Sequence, residues 1–159
     1  MRRLIFTAGL LTPFCLYAQL RAASTVEPAS GVRAEQPWAR ATAPRQTVGG
    51  AYVTLTSPVD DRLMAASSPV AGRAEVHEMT MDGQVMRMRE QKDGIALPAG
   101  KAVALAPGGY HIMLMDLHKP LLVGQVIAIQ LRFQHAPPLD LQVKVAPIGA
   151  QGPGMEHTH

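Results

Sequence analysis

Residues 73–90 read RAEVHEMTMDGQVMRMRE, and this stretch predicts a β-hairpin. Asp82-Gly83 is a strong short-range signal for a tight turn between two antiparallel strands. If these two residues form the whole turn, His77 lies directly opposite Met88. Directly opposed residues have Cβ atoms about 4.5–5.5 Å apart, so one metal ion could contact both side chains.

Short apolar runs alternate with turn signals over the rest of the chain from Trp38 onward. No segment keeps a helical apolar period over ten or more residues. Turn signals every 8–12 residues or so favour a single antiparallel sandwich or barrel. The predicted strands are Ala51–Thr56, Arg73–Met81, Gln84–Glu90, Lys101–Leu105, Tyr110–Leu117, Gln125–Phe133 and Leu139–Val145.

The N-terminus is typical of an export signal. Arg2 and Arg3 precede the apolar run 4–18, and small residues follow at 22–24. The run is shorter than the roughly 20 residues of a membrane-spanning helix, so we expect cleavage near 22–24 and a periplasmic protein without a span. Cys15 lies inside the run and lacks the flanking small residues of a lipoprotein signal, so the mature protein is expected to have no thiol.

Charge and composition exclude several classes of function. The chain has 15 Lys+Arg and 12 Asp+Glu, and three of the arginines lie in the first 23 residues, which leaves the mature part neutral. A neutral domain offers no electrostatic reason to bind nucleic acid or anionic membrane. We expect a signal peptide over 1–23, a linker over 24–36, one β domain over 37–148 and a flexible tail over 149–159.

Methionine and histidine are concentrated in two stretches. Six of the eight methionines after the initiator lie in 77–88 and 111–115, each of which begins with a histidine. Alternate strand residues share a face, which places His111 and Met113 together. Thioether and imidazole donors suit Cu(I), whereas a blue-copper site needs a thiolate and zinc prefers Cys, His or carboxylate. Methionine on a strand face also serves as core filler, which would give no metal site.

These residues resemble the periplasmic PCu(A)C family of copper chaperones. The resemblance covers about 38–145 and rests on the spacing His-x10-Met followed by His-x-Met, which is met by His77, Met88, His111 and Met113. Further matching segments are Asp82-Gly83, Pro98-Ala99-Gly100, Pro107-Gly108-Gly109 and Pro120-Leu121.

The resemblance implies a cupredoxin-like antiparallel β-sandwich that binds Cu(I) through those four side chains. It also implies delivery of copper towards the CuA centre of cytochrome c oxidase, sometimes with a Sco-type thiol chaperone as partner. We expect a monomer. Three further methionines are expected near the site or in the core: Met79, Met86 and Met115.

The C-terminal residues Met155, His157 and His159 resemble the His/Met-rich extensions that add a Cu(II) site in some family members. A solvated tail without function is the alternative. His118 and His135 lie beside proline-containing turns and are expected on the surface.

Three functions remain open at this point: a copper carrier, a copper storage or resistance protein, and an Ig-like interaction module whose methionines only fill the core. We do not expect an enzyme, because the sequence offers no Ser-His-Asp arrangement, no paired catalytic carboxylates and no phosphate-binding loop.

Overall fold

A computed structural model describes residues 31–153, which contain ten β-strands and no helix. It follows that this part of the chain holds no helix long and apolar enough to cross a bilayer. The strands are β1 (Arg33–Arg40), β2 (Val48–Thr56), β3 (Asp61–Ser67), β4 (Ala71–Asp82), β5 (Val85–Glu90), β6 (Ile95–Leu97), β7 (Ala102–Leu105), β8 (Tyr110–Leu117), β9 (Val126–Phe133) and β10 (Leu139–Ala146).

The strands follow one another in the order β5-β4-β8-β2-β1-β10-β9-β3-β6, and β7 pairs with β2 beyond the end of β8. Among the described strands, β1 and β10 pair in parallel and the other pairs are antiparallel. Leu114 of β8 and Ile129 of β9 belong to one core cluster although their strands are four places apart. The sheet therefore folds over itself, and the predicted all-β sandwich is confirmed.

Alternation of side chains determines which face of each strand enters the core. On β9, Ile127, Ile129 and Leu131 are buried and the residues between them are exposed. On β8, Ile112 and Leu114 are buried, which directs the histidine and methionines of that strand to the other face. The core of the sandwich thus fixes the orientation of the candidate metal ligands.

All seven predicted strands are present, and β8 has the predicted bounds. The sequence analysis missed β1, β3 and β6. β1 contains Pro37 and a bulge between Glu35 and Trp38, with Gln36 at φ 51°, which interrupts the alternation that identifies a strand. β3 also contains an irregularity, and β6 has only three residues.

The domain is longer than predicted at both ends. The linker expected over 24–36 ends earlier, because β1 begins at Arg33, where the residue pairs with Thr56. The expected signal peptide, with Cys15, and residues 24–30 of the linker lie outside the described residues.

The flexible tail predicted over 149–159 is wrong for its first residues, which pack against the domain. Ala150 is fully buried (0% exposed) in a small cluster with Trp38 and Tyr52. Arg40 donates from Nε to the Ala150 carbonyl oxygen over 2.8 Å. Its guanidinium also lies within 5.6 Å of the Tyr52 ring centroid, a cation–π distance. Residues 154–159 are outside the described range.

Candidate metal centre

The hairpin of β4 and β5 turns one residue later than the sequence predicted. Asp82 pairs with Val85, so the turn consists of Gly83 and Gln84. Gly83 has φ 63° and Gln84 does not have a positive φ, the pattern of a type II′ turn with glycine first. The prediction placed Asp82 and Gly83 at the centre of the turn, as in a type I′ turn, and is wrong.

The different turn changes which residues lie opposite each other across the hairpin, but each side chain stays on its predicted face of the sheet. Met79 lies opposite Met88, and Met81 lies opposite Met86. The predicted pairing of His77 with Met88 is therefore wrong. The two residues are diagonal neighbours on one face, about 7–8 Å apart, which is within reach of a long methionine side chain.

β8 brings a second histidine beside the first. His111 lies opposite His77, and the two ring centroids are 5.9 Å apart. Met113 lies opposite Glu75 on β4 and opposite Gly50 on β2. Gly50 has no side chain, and the Tyr52 hydroxyl lies 2.9 Å from the position that its Cβ would take, so the Tyr52 ring occupies this position beside the strand.

An open cleft of about 690 Å³ lies over this face. Its lining includes Met79, Met86, Met88, His111 and Met113 from the hairpin and β8, with Arg40, Tyr52 and Gln151 on the other side. Three of the four residues implied as ligands thus line one cleft, and His77 lies beside His111.

His77 presents a nitrogen lone pair without a partner. Its Nε2 lies 2.9 Å from the Glu75 carboxylate. A carboxylate accepts hydrogen bonds, so when the ring is neutral Nε2 carries its proton and Nδ1 holds the lone pair. Nδ1 is buried and has no hydrogen-bond partner. A buried polar atom of this kind points to an ion or water that binds there.

His111 is buried, and a backbone contact determines which of its nitrogens can bind a metal. Its Nδ1 lies 3.1 Å from the Gly109 carbonyl oxygen and donates to it, so Nε2 keeps the lone pair. Burial lowers the pKa of His111 below its ordinary value; the Gly109 hydrogen bond opposes that shift and the nearby His77 adds to it. The ring is therefore neutral at neutral pH, which is the form that binds metals.

Charged neighbours hold Glu75 in position. Arg73 lies 3.3 Å from Glu75 through Nη1 and 3.2 Å from Asp116 through Nε. Glu75 is two residues from His77, so the two share a face of β4. Glu75 was not among the residues predicted for the site, although its spacing from His77 is a signal in the sequence that could have identified it.

The exposure of the hairpin methionines argues against a core-filling role. Met88 is 46% exposed, and Met86 and Met81 are more exposed still. Met79 and Met86 line the cleft, as expected for residues near the site, whereas Met115 is half-buried and is not part of the lining.

The donors on this face suit a soft monovalent ion. Two imidazole nitrogens and several thioether sulfurs are available, and soft thioether sulfur selects Cu(I). Within residues 31–153, no group of three His, Cys, Asp or Glu side chains could hold a metal. The unpartnered Nδ1 of His77 fits a Cu(I) ligand.

The remaining histidines are not part of this site. His118 and His135 are exposed, which confirms their predicted surface position. Met155, His157 and His159 lie outside the described residues.

Comparison with solved structures identifies PCuAC domains with the same fold. The copper-bound PCuAC domain from PmoF2 is 26% identical, with a TM-score of 0.60 over 73% of this chain and 92% of that domain. Apo-DR1885 from Deinococcus radiodurans is 26% identical, with a TM-score of 0.57 over 92% of this chain and 97% of that one. The resemblance to the PCu(A)C family and its cupredoxin-like fold is confirmed.

Sequence comparison leads to a named family. "Putative lipoprotein Lxx21020" of Leifsonia xyli subsp. xyli (strain CTCB07) is 34% identical over 123 residues, which cover 77% of this chain and 74% of the relative. The family described as "Putative lipoprotein LpqE-like" matches residues 32–145. This match spans β1 to β10 almost completely, and the chain belongs to the LpqE-like family.

Proposed function

We propose that the protein is a periplasmic copper chaperone that binds Cu(I) through His77, Met88, His111 and Met113. The observation that carries the proposal is the buried Nδ1 of His77, which has no partner and lies beside a second histidine with a free lone pair. Copper-bound structures of the PmoF2 domain and of DR1885 support the choice of metal.

The ligand set suits a carrier. Thioethers and neutral imidazoles bind Cu(I) without releasing a proton from a thiol, so ligands can be exchanged one at a time. Met88 is nearly half exposed, at the rim of an open cleft, where a ligand from another protein can approach the ion. This accessibility favours transfer over long-term storage. We assign no catalytic step to the site.

The proposed acceptor is the CuA centre of cytochrome c oxidase, with a Sco-type thiol chaperone as a second partner. The support is the PCu(A)C resemblance together with the exposed rim of the cleft. A thiolate acceptor binds Cu(I) more strongly than neutral thioethers because it carries a charge, which gives transfer its direction.

Export to the periplasm is part of the proposal. Its support is the signal-like sequence of residues 1–23 and a relative that is named as a lipoprotein. Fractionation of cells that produce the full chain tests this step, and N-terminal sequencing of the mature protein locates the cleavage.

Leucine variants test the site itself. Met88→Leu and Met113→Leu keep size and apolarity, and such swaps cost under about 1.5 kcal/mol of stability. Each removes one sulfur, and we expect Cu(I) affinity to fall at least about tenfold, the effect of losing even an outer partner of a metal ligand. Competition against a Cu(I) chelator measures the affinity.

Met64→Leu is the matched control, because Met64 is an exposed methionine (39%) on β3, away from the cleft. Parent affinity in this control together with weak binding in the two site variants supports the proposal. Equal Cu(I) affinity in all three variants and the parent contradicts it and favours an interaction module without metal.

We further propose a Cu(II) site at Met155, His157 and His159, supported by the histidine spacing alone. Because Ala150 is buried, the truncation that tests it should end at Pro153 and not at residue 148. Deleting 154–159 should abolish Cu(II) binding and leave Cu(I) binding intact. An unchanged Cu(II) titration would show that the tail is not a copper site.

A further inference from the structure

The β4–β5 hairpin carries a second pair of opposed methionines between the cleft and the turn. Met81 and Met86 lie directly opposite each other, one step closer to the turn than Met79 and Met88. Their exposures are 63% and 57%, so neither side chain contributes much to the core. The four-ligand site proposed above uses neither of them.

The geometry allows both sulfurs of this outer pair to reach one ion. Directly opposed strand residues have Cβ atoms about 4.5–5.5 Å apart. Methionine has three rotatable bonds in its side chain, so two opposed thioethers can converge on a point above the strands. Met86 also lines the cleft that contains Met88 and His111, which makes the outer pair continuous with the inner site.

The charged side chains next to the outer pair in sequence, Asp82 and Arg87, lie on the other face of the hairpin and pair with each other. The Asp82 carboxylate lies 2.8 Å from Arg87 Nε, so it is held in an ion pair at the turn. The donors that face a cation here are consequently the two thioethers. Thioether donors select Cu(I) over the harder divalent ions.

We propose that Met81 and Met86 form a second, weaker Cu(I) site through which copper enters and leaves the cleft. The inference rests on the proposed function. At each step one copper–sulfur bond forms as another breaks; copper stays Cu(I), and neither a proton nor an electron is transferred. Met86 connects the two sites, because it belongs to the outer pair and also lines the cleft that contains the first site.

Titration of the full chain with Cu(I), observed through methionines labelled with 13C at the ε-methyl group, tests the second site. The probe is the Cu(I) acetonitrile complex under argon, and single leucine variants assign the methyl signals. We expect the first equivalent to shift Met88 and Met113 and the second to shift Met81 and Met86. In the double variant Met81→Leu/Met86→Leu, the second binding phase should be lost and the first retained.

The rate of Cu(I) transfer from the loaded protein to a chelator tests the route. We expect slower transfer in the double variant than in the parent, with the first-site affinity unchanged. Met64→Leu again serves as the control for loss of an exposed thioether and should transfer at the parent rate.

The outcomes separate the two proposals. If the first equivalent shifts Met88 and Met113 but no amount of Cu(I) shifts Met81 and Met86, the second site is refuted and the four-ligand site stands. Equal transfer rates in parent and double variant refute the entry and exit role. If the first equivalent shifts neither Met88 nor Met113, the proposed function itself fails.

Discussion

Replacing Glu75 by alanine should weaken Cu(I) binding although it removes none of the four proposed metal ligands. In the parent, the carboxylate lies 2.9 Å from His77 Nε2 and keeps the proton on that nitrogen, which leaves Nδ1 free to bind. Without the carboxylate, the ring can place its proton on Nδ1, and that tautomer cannot donate a lone pair from Nδ1 to the metal. Glu75 therefore acts as a positioning residue.

The size of the effect follows from the contact. Loss of a carboxylate partner of a metal-bound histidine typically costs 10–100-fold in metal affinity, or about 1.4–2.7 kcal/mol. The Glu75 side chain is 22% exposed, so water can partly replace it and we expect the lower end, about tenfold. Glu75→Gln keeps an oxygen that can accept from Nε2 and should fall between the parent and Glu75→Ala.

Two measurements check this prediction. Chelator competition gives the Cu(I) affinity, and 15N chemical shifts of the His77 ring in the metal-free protein report which nitrogen carries the proton. Glu78→Gln is the control, because Glu78 follows His77 directly on β4, points to the other face and accepts from Gln91 Nε2 over 2.9 Å. A Glu75→Ala variant with parent affinity and an unchanged His77 tautomer would show that Glu75 does not position His77.

Two further predictions concern stability. Asp61 is buried and accepts hydrogen bonds from three backbone amides; burial alone would raise its pKa, but these bonds lower the pKa below its ordinary value. We expect Asp61→Asn to lose about 2 kcal/mol of unfolding free energy in urea at neutral pH, since hydrogen bonds to a charged group are the stronger kind. Because the pKa of Asp61 is lower in the folded state, its contribution to stability is fully present above the unfolded pKa of about 3.9 and is lost as pH falls through the folded pKa. The difference in unfolding free energy between parent and variant should therefore shrink in acid. A difference that stays constant with pH would contradict this prediction. Gly50→Ala places a Cβ 2.9 Å from the Tyr52 hydroxyl, so the ring must move, and we expect a loss of about 1–3 kcal/mol with a changed near-UV tyrosine signal. Gly31→Ala, with no atom within 4 Å of the added carbon, should leave both unchanged.

Local patterns in the sequence were sufficient to predict the strands and the faces of the site. β8 has its predicted bounds because a turn with two glycines precedes it and regular alternation follows. The common face of His111 and Met113 depends only on strand alternation, so it could be predicted before any tertiary contact was known.

The pairings could not be predicted in the same way. Asp82-Gly83 is compatible with a type I′ turn at those two residues and with a type II′ turn that begins at Gly83, and the two differ by one position. The contact between His77 and His111 depends on the register between β4 and β8, which are separated by three other strands in sequence. β1 could not be predicted because its bulge and Pro37 interrupt the alternation of apolar and polar residues that identifies a strand.

Because β1 and β10 pair in parallel, both strands end at the same end of the sandwich, where Arg40 lies opposite Ala146. This arrangement determines where a fusion partner can be attached. β1 enters the sandwich at Arg33 and ends at Arg40, which lines the cleft about 23 Å further along the strand. A reporter joined directly ahead of Gly31 therefore lies at the end of the sandwich remote from the proposed copper ligands. Gln151 lines the same cleft as Arg40, so a reporter joined directly after Pro153 is tethered beside the cleft and restricts access to it.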